Sequence, residues 1–358
     1  MPAIQTWQPT DSIASIVQCL KDGGCVALPT ESTYEVAASA RRGDAVARLQ
    51  ALAREDVGAA VVLVAEAELR DWLPGVRGVG PRLFRKLGPG PLVLQAGSGY
   101  SDGLAARLPE ATQRILVAEN LLSVRWPDHA VWQGLREMGE PLISLSLPAQ
   151  TAQQAAALLG DQVEWIVDGG PTEFGGLPSV VRLTDRWYEL RRKGVLDDEQ
   201  IRELALCRIL FICTGNTCRS PMAEVLCAKL LAEKLGCGVA ELAQHGFCVQ
   251  SAGLAAMTGQ QASPEAVTVV AQAGAELSPH RSRMATMQML ACADHIFTMT
   301  AGHRQALLQV PGIPPPRLLS CQDEDVVDPI GGELADYQAC AQQIQACLHQ
   351  RLPELLAS

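Results

Sequence analysis

The chain has 358 residues, enough for two domains, and its 48% hydrophobic and 19% charged content excludes a disordered or coiled-coil protein. A net charge of −10 argues against nucleic acid as a partner. No run reaches the roughly 18 apolar residues that cross a membrane, and the N-terminus lacks a signal-peptide pattern, so a cytoplasmic protein without a membrane partner is expected.

Twelve cysteines occur without a C-x-x-C pair, which implies neither a zinc site nor a disulfide framework. No metal and no cofactor are expected. Cys19 and Cys25 lie early, and the other ten fall between Cys207 and Cys347, which points to a boundary near residue 200.

In the first half, Cys25-Val26-Ala27-Leu28, Val61-Val62-Leu63-Val64 and Leu92-Val93-Leu94 read as buried strands. Residues 44–54 read as a helix with Val46, Leu49 and Leu52 on one face. Gly88-Pro89-Gly90-Pro91 is a turn ahead of a strand. The polar stretch 190–199 reads as the approach to the second domain.

The second half alternates more cleanly. A strand over 208–212 is followed by a helix over 221–235, with Ser220 as N-cap and Pro221 at the first helical position. A short strand follows at 247–250. Ser263-Pro264 opens a helix that stops near Gly274, a strand spans 295–299, and an amphipathic helix spans 334–348. Strands alternating with helices predict a doubly wound parallel sheet, α/β in class, of flavodoxin-like size.

The stretch with chemistry is Cys213-Thr214-Gly215-Asn216-Thr217-Cys218-Arg219-Ser220, set between a strand and a helix. A loop leading into a helix N-terminus turns its backbone N–H groups inward and makes a nest for a phosphate dianion. Gly215 is expected to supply the backbone angles of the curl. Arg219 can grip two phosphoryl oxygens. The same positive field favours the thiolate of Cys213, an activated nucleophile facing phosphorus. The leaving group needs a proton donor. Asp328, in the acidic loop 323–329 before the last helix, is the candidate.

On these motifs the second half resembles the low-molecular-weight protein tyrosine phosphatase family across 207–358. The matching segments are CTGNTCRSPMAE, Ser251-Ala252-Gly253, His280-Arg281-Ser282-Arg283, Ala293-Asp294-His295-Ile296 and Asp328-Pro329, in that order. The resemblance implies that Cys213 forms a phosphocysteine and that Arg219 holds the transferring group. It also implies that Asp328 serves as acid and then as base. The remaining loop residues, Thr214, Gly215, Asn216, Thr217, Cys218 and Ser220, would bind substrate, with Asn216 and Ser220 supporting the thiolate. Thr217 stands where tyrosine-directed members carry an aliphatic residue, so the loop looks closer to the protein arginine phosphatase branch. Ile330 stands where both branches place an aromatic. Cys218 is implied as a reversible disulfide partner of Cys213. The implied partners are phosphorylated proteins. His280 reads as a structural hydrogen-bonder and Arg281–Arg283 as solvated surface or a docking contact.

Residues 10–204 resemble the YrdC-like threonylcarbamoyl-AMP synthase family, whose fold is a twisted α/β sheet with a concave face for ATP and threonine. The matches are residues 23–34, Gly88-Pro89-Gly90-Pro91-Leu92, Val124-Arg125-Trp126-Pro127-Asp128-His129, Val167-Asp168-Gly169-Gly170 and residues 190–194. The departures fall on ligand positions. Ala53 and Glu55 stand at the lysine and arginine of a K-x-R motif, with Arg54 one place out of register. Tyr34-Glu35-Val36 replaces Tyr-Gly-Leu, Ser146-Leu147-Pro148 replaces Ser-Ala-Asn, and Ser179-Val180-Val181 replaces Ser-Thr-Val. The expected domains are therefore 1–204, YrdC-like and catalytically impaired, and 205–358, the phosphatase. The alternative is a bifunctional chain that also makes threonylcarbamoyl adenylate for tRNA modification. ATP and threonine are partners only if the first site still works.

Overall fold

In a computed structural model that describes residues 2–53, 58–97, 99–184 and 187–357, the chain divides into two units, Met1–Ala205 and Leu206–Ser358. Arg54 and Glu55 of the altered K-x-R motif lie outside the described residues.

The first unit is built on one mixed sheet. Its strands are β1 (Ala3–Thr6), β2 (Val26–Pro29), β3 (Tyr34–Ser39), β4 (Ala60–Val62), β5 (Leu92–Ala96), β6 (Val117–Ala118), β7 (Leu121–Arg125), β8 (Leu142–Ser146), β9 (Trp165–Asp168), β10 (Ser179–Leu183) and β11 (Tyr188–Arg192). They lie in the order β1-β9-β2-β3-β8-β4-β7-β5-β10-β11, with β6 on β7. β2 is paired on both sides, and its alternate residues enter different cores: Ala27 joins one, Val26 and Leu28 the other. That explains why the strand reads as a continuous apolar run rather than an alternating one. The polar 190–199 stretch is not simply a linker. Tyr188–Arg192 is an edge strand and Asp198–Ala205 a helix, because Tyr188, Ile201 and Ala205 are buried in the larger core of this unit.

The second unit starts with β12 (Cys207–Cys213), in which every residue except Arg208 is buried. It is flanked in parallel by β13 (Phe247–Gly253) and β14 (His295–Thr298), and β14 carries β15 (Arg317–Leu318) in parallel. The order β13-β12-β14-β15 is that of a flavodoxin-like, doubly wound sheet. One apolar cluster packs Phe211 with the helices Arg219–Leu235 and Leu334–Ala357, and another packs Leu210 and Ile212 with Leu290 and Leu307. The strand order reverses between β13 and β14 across β12, which is where such sheets place a ligand crevice, at the C-terminal end of β12.

Two helix ends differ from expectation. The helix after β12 begins at Arg219, and its N-cap is Cys218. Ser220 is thus inside the helix, its hydroxyl turned to Cys213 and not to the helix N–H groups. Pro221 is tolerated because the first-turn N–H groups have no helical partner anyway. The last helix runs to Ala357, past Leu348 and through Pro353, because Leu352 and Leu355 are buried in the same cluster.

Candidate active site

The loop 213–218 leaves the central strand and curls before the helix begins. Its left-handed residue is Asn216, at φ +54°, and not Gly215. A Cβ at Gly215 would meet only Thr217 Oγ1, at an ordinary 3.6 Å. Asparagine tolerates this conformation, and here its side chain is tied down. Asn216 Nδ2 donates to Ser220 Oγ at 3.0 Å and to Ser251 Oγ at 2.8 Å. Its Oδ1 accepts the Arg283 N–H at 2.9 Å, and its carbonyl is 2.9 Å from His280 Nε2. The glycine that the loop does require is Gly253, beside Cys213 in the register of β12 and β13. A Cβ there would run into the Thr214 carbonyl oxygen and stand 3.0 Å from Asn216 N.

The Cys213 thiol is buried and held at two points. Asn216 N–H donates to Sγ at 3.2 Å, and Ser220 Oγ lies 2.9 Å away. Arg219 is also buried. Its Nη1 donates to the Val326 carbonyl at 3.4 Å, and its Nη2 pairs with the Asp328 carboxylate. Of the candidates picked from the sequence, Arg219 and Asp328 therefore meet, although Asp328 arrives from a loop over a hundred residues downstream, and Cys213 touches Ser220, the residue after Arg219. Thr214 is exposed, and Gly215 and Thr217 form a half-buried rim.

Cys218 faces elsewhere. Its thiol lies 2.8 Å from Ser263 Oγ and 3.6 Å from both Tyr337 Oη and Thr217 Oγ1. Both loop cysteines are free thiols. Ile330 is 68% exposed beside Asp328, with no aromatic in its place.

Two supporting groups, Glu224 and His303, were given no role from the sequence, and the segment of Arg283 and Ser282 was read differently. Glu224 accepts from Ser251 Oγ, and burial pushes its carboxyl upward against the pull of that hydrogen bond and of Arg283. Arg283 was expected as solvated surface or a docking contact; it is partly exposed, and its Nε also donates to the Ser251 carbonyl at 2.9 Å. Ser282 is buried, because the segment pairs with β13 through Gly253 and Met284. His303 bridges Thr300 Oγ1 (2.9 Å, Nδ1) and Thr214 Oγ1 (2.8 Å, Nε2). Burial first, and then the Arg219 charge, push it below the ordinary imidazole range, against the pull of Asp325 and Asp328. The Thr300-x-x-His303 spacing marks a helix start; only the pairing of β14 with β12 aims the ring at the loop.

The sequence that carries this constellation matches known proteins. A family model for low molecular weight phosphotyrosine protein phosphatase matches residues 208–358. The protein-arginine-phosphatase of Geobacillus stearothermophilus is 36% identical over 157 residues, 42% of this chain and 95% of that protein. Through its second unit the chain belongs to this phosphatase family. The protein-arginine-phosphatase of Bacillus subtilis is 33% identical over 41% of this chain and 95% of its own length. A second model, Sua5/YciO/YrdC, described as telomere recombination, matches residues 18–194. The threonylcarbamoyl-AMP synthase of Bacillus subtilis is 29% identical over 198 residues, and this chain spans 55% of that protein's length. A YrdC-like unit thus precedes the phosphatase unit. Among the described residues, no helix is long and apolar enough to cross a membrane, and no cluster of three His, Cys, Asp or Glu could hold a metal ion.

Proposed function

We propose that the second unit is a cysteine-dependent protein phosphatase that hydrolyses phosphoarginine in proteins in preference to phosphotyrosine. The observation that carries this reading is the thiol of Cys213, hydrogen-bonded by Asn216 N–H and Ser220 Oγ beneath the Arg219–Asp328 pair. The Asn216 N–H bond is of the kind a thiolate accepts, and the Ser220 hydroxyl is placed to donate a second.

In this mechanism Cys213 Sγ attacks phosphorus and the bond to the leaving nitrogen or oxygen breaks. Asp328 gives its proton to that atom. Arg219 and the loop amides hold the equatorial oxygens as the phosphocysteine forms. A water then attacks phosphorus, its proton passes to the Asp328 carboxylate, and the S–P bond breaks to release inorganic phosphate.

Thr217, half-buried on the rim, is proposed as the selector for the guanidinium-borne phosphoryl group. The exposed Ile330 offers no aromatic platform to a phosphotyrosine ring. A cytoplasmic location is favoured by the twelve free thiols. Matched phosphoarginine and phosphotyrosine peptides test the reading, with the parent chain, Cys213→Ser and Thr217→Ile. The parent should prefer phosphoarginine, Cys213→Ser should be inactive, and Thr217→Ile should move the preference toward phosphotyrosine by about tenfold or more, roughly 1.4 kcal/mol. An unchanged preference in Thr217→Ile removes Thr217 as selector, and turnover by Cys213→Ser defeats the mechanism.

A second activity, synthesis of threonylcarbamoyl adenylate by the first unit, is favoured by the match over residues 18–194 and by the synthase relative. The altered motif positions oppose it. Formation of adenylate from ATP and threonine by the full chain would establish it.

A further inference from the structure

The first unit carries a polar cleft on one face of its sheet. Side chains alternate along strands. Tyr34 and Val36 of β3, Leu122 and Val124 of β7, and Ile143 and Leu145 of β8 all enter the larger core. Glu35, Ser123, Arg125, Ser144 and Ser146 fall on the opposite face and are buried there. A buried sheet face made of serines and charges is poor packing material. Arg125 and Arg192 both line the cleft, as do Gln95 and the three serines, and Arg192 also donates to the Pro178 carbonyl. Guanidinium groups among hydroxyls are the usual grip for phosphate or carboxylate.

That grip is already occupied from within. Arg125 Nη2 donates to Glu31 Oε1 and to Ser32 Oγ, both at 2.9 Å, and Nη1 donates to the Gly90 carbonyl at 3.1 Å. Its Nε forms an ion pair with Glu35 Oε1. The contact lacks hydrogen-bond geometry, and among the described residues both Arg125 Nε and Glu35 Oε2 are buried without a hydrogen-bond partner. Ser146 Oγ steadies Glu35 Oε1 at 3.0 Å. Two carboxylates therefore face one guanidinium. Glu31 has a separate structural task, since its Oε2 accepts the Asp128 N–H at 2.8 Å. The contacts of Glu35 among the described residues go to Arg125 and Ser146. A buried carboxylate with one oxygen unpaired is a poor stabilising device. The space left in the cleft is about 40 Å³, room for water but far below the ~300–1,000 Å³ of a ligand pocket.

We propose that Glu35 is a built-in anionic occupant of Arg125, which keeps this cleft closed to phosphate- and carboxylate-bearing ligands. Neutralising Glu35 frees the Arg125 charge for them, and truncating its side chain also opens the space. The inference is independent of the phosphatase reading and is tested separately from it. Calorimetric titration of the full chain with ATP, inorganic pyrophosphate and L-threonine reads it directly. Every sample carries Arg219→Ala, so that the phosphate loop of the second unit does not report. With Glu35 present, no saturable binding is expected. Glu35→Gln retains the side chain's shape, and Glu35→Ala empties its space. Each should bind at least one probe about tenfold or more tighter than the parent, a gain of roughly 1.4 kcal/mol. Adding Arg125→Met to Glu35→Gln should abolish the gain. Melting curves establish that Glu35→Gln is folded, so the inference stands on that variant if the alanine chain fails to fold. Micromolar binding by the parent, no gain in folded Glu35→Gln, or a gain that survives Arg125→Met would each overturn it.

Discussion

Arg219 and Asp328, 109 positions apart in the chain, meet side chain to side chain beside the Cys213 loop. In the proposed mechanism the pairing fixes where the acid stands relative to the group that grips phosphate. It also makes the two residues separable by experiment. Asp328→Asn retains the shape of the side chain and removes the proton. It should lower kcat by about 10²–10⁴-fold, the usual worth of a positioned acid, with a much smaller change in KM. Arg219→Lys retains a positive charge but loses the planar fork, so it should raise KM as well as lower kcat. Steady-state kinetics on an aryl phosphate distinguishes the two, and equal effects of both variants on KM alone would contradict these roles.

Asn216 combines an unusual backbone angle with four hydrogen bonds through its side chain and carbonyl. Asn216→Gly keeps the angle at no steric cost but removes the side-chain ties. It should melt near the parent and lose most of its activity. Asn216→Ala loses the ties and strains the backbone as well. It should melt several degrees lower, consistent with a loss of about 1 kcal/mol or more. If both variants melt alike, the left-handed residue is not what holds the curl.

His303 makes stability depend on pH. Its folded pKa lies below the ordinary value, so the unfolded chain binds this proton more readily. The His303 contribution is therefore intact above the unfolded pKa of about 6.5 and is lost as pH falls below it, until the folded group also protonates. The charged groups that act on the ring are Arg219, Asp325 and Asp328. His303→Gln can still reach Thr214 but cannot titrate. Its melting temperature should fall less between pH 7 and pH 5 than the parent's, and parallel curves would remove His303 as the source.

Cys218 does not hydrogen-bond Cys213, and its thiol rests against Ser263. A protective disulfide would need this thiol to turn. Peroxide would first oxidise Cys213 to the sulfenic acid, which Cys218 would then attack, releasing water as the S–S bond forms. Treatment followed by a thiol reductant should restore the parent fully and Cys218→Ser poorly. Equal recovery of both would show that Cys218 has no protective role.

Strand, turn and helix positions in the second unit were legible because they depend on local patterning. The apolar run before Cys213, the Ser263-Pro264 start and the left-handed Gly274 act over a few residues. Cys213 and Arg219 could be picked out as candidates for the same reason, since they flank one turn, and Asp328 was a candidate as an acidic residue ahead of the last helix. The sequence alone determined those local positions. Tertiary structure decided which loop residue turns left-handed, because the anchors of Asn216 come from Ser251 on β13 and Arg283 beyond it. It also decided the aim of His303 and the closure of Arg125 by Glu35, 90 positions away on another strand. Those contacts follow from strand order and register, and no periodicity within a segment encodes which distant side chain will face it across a sheet.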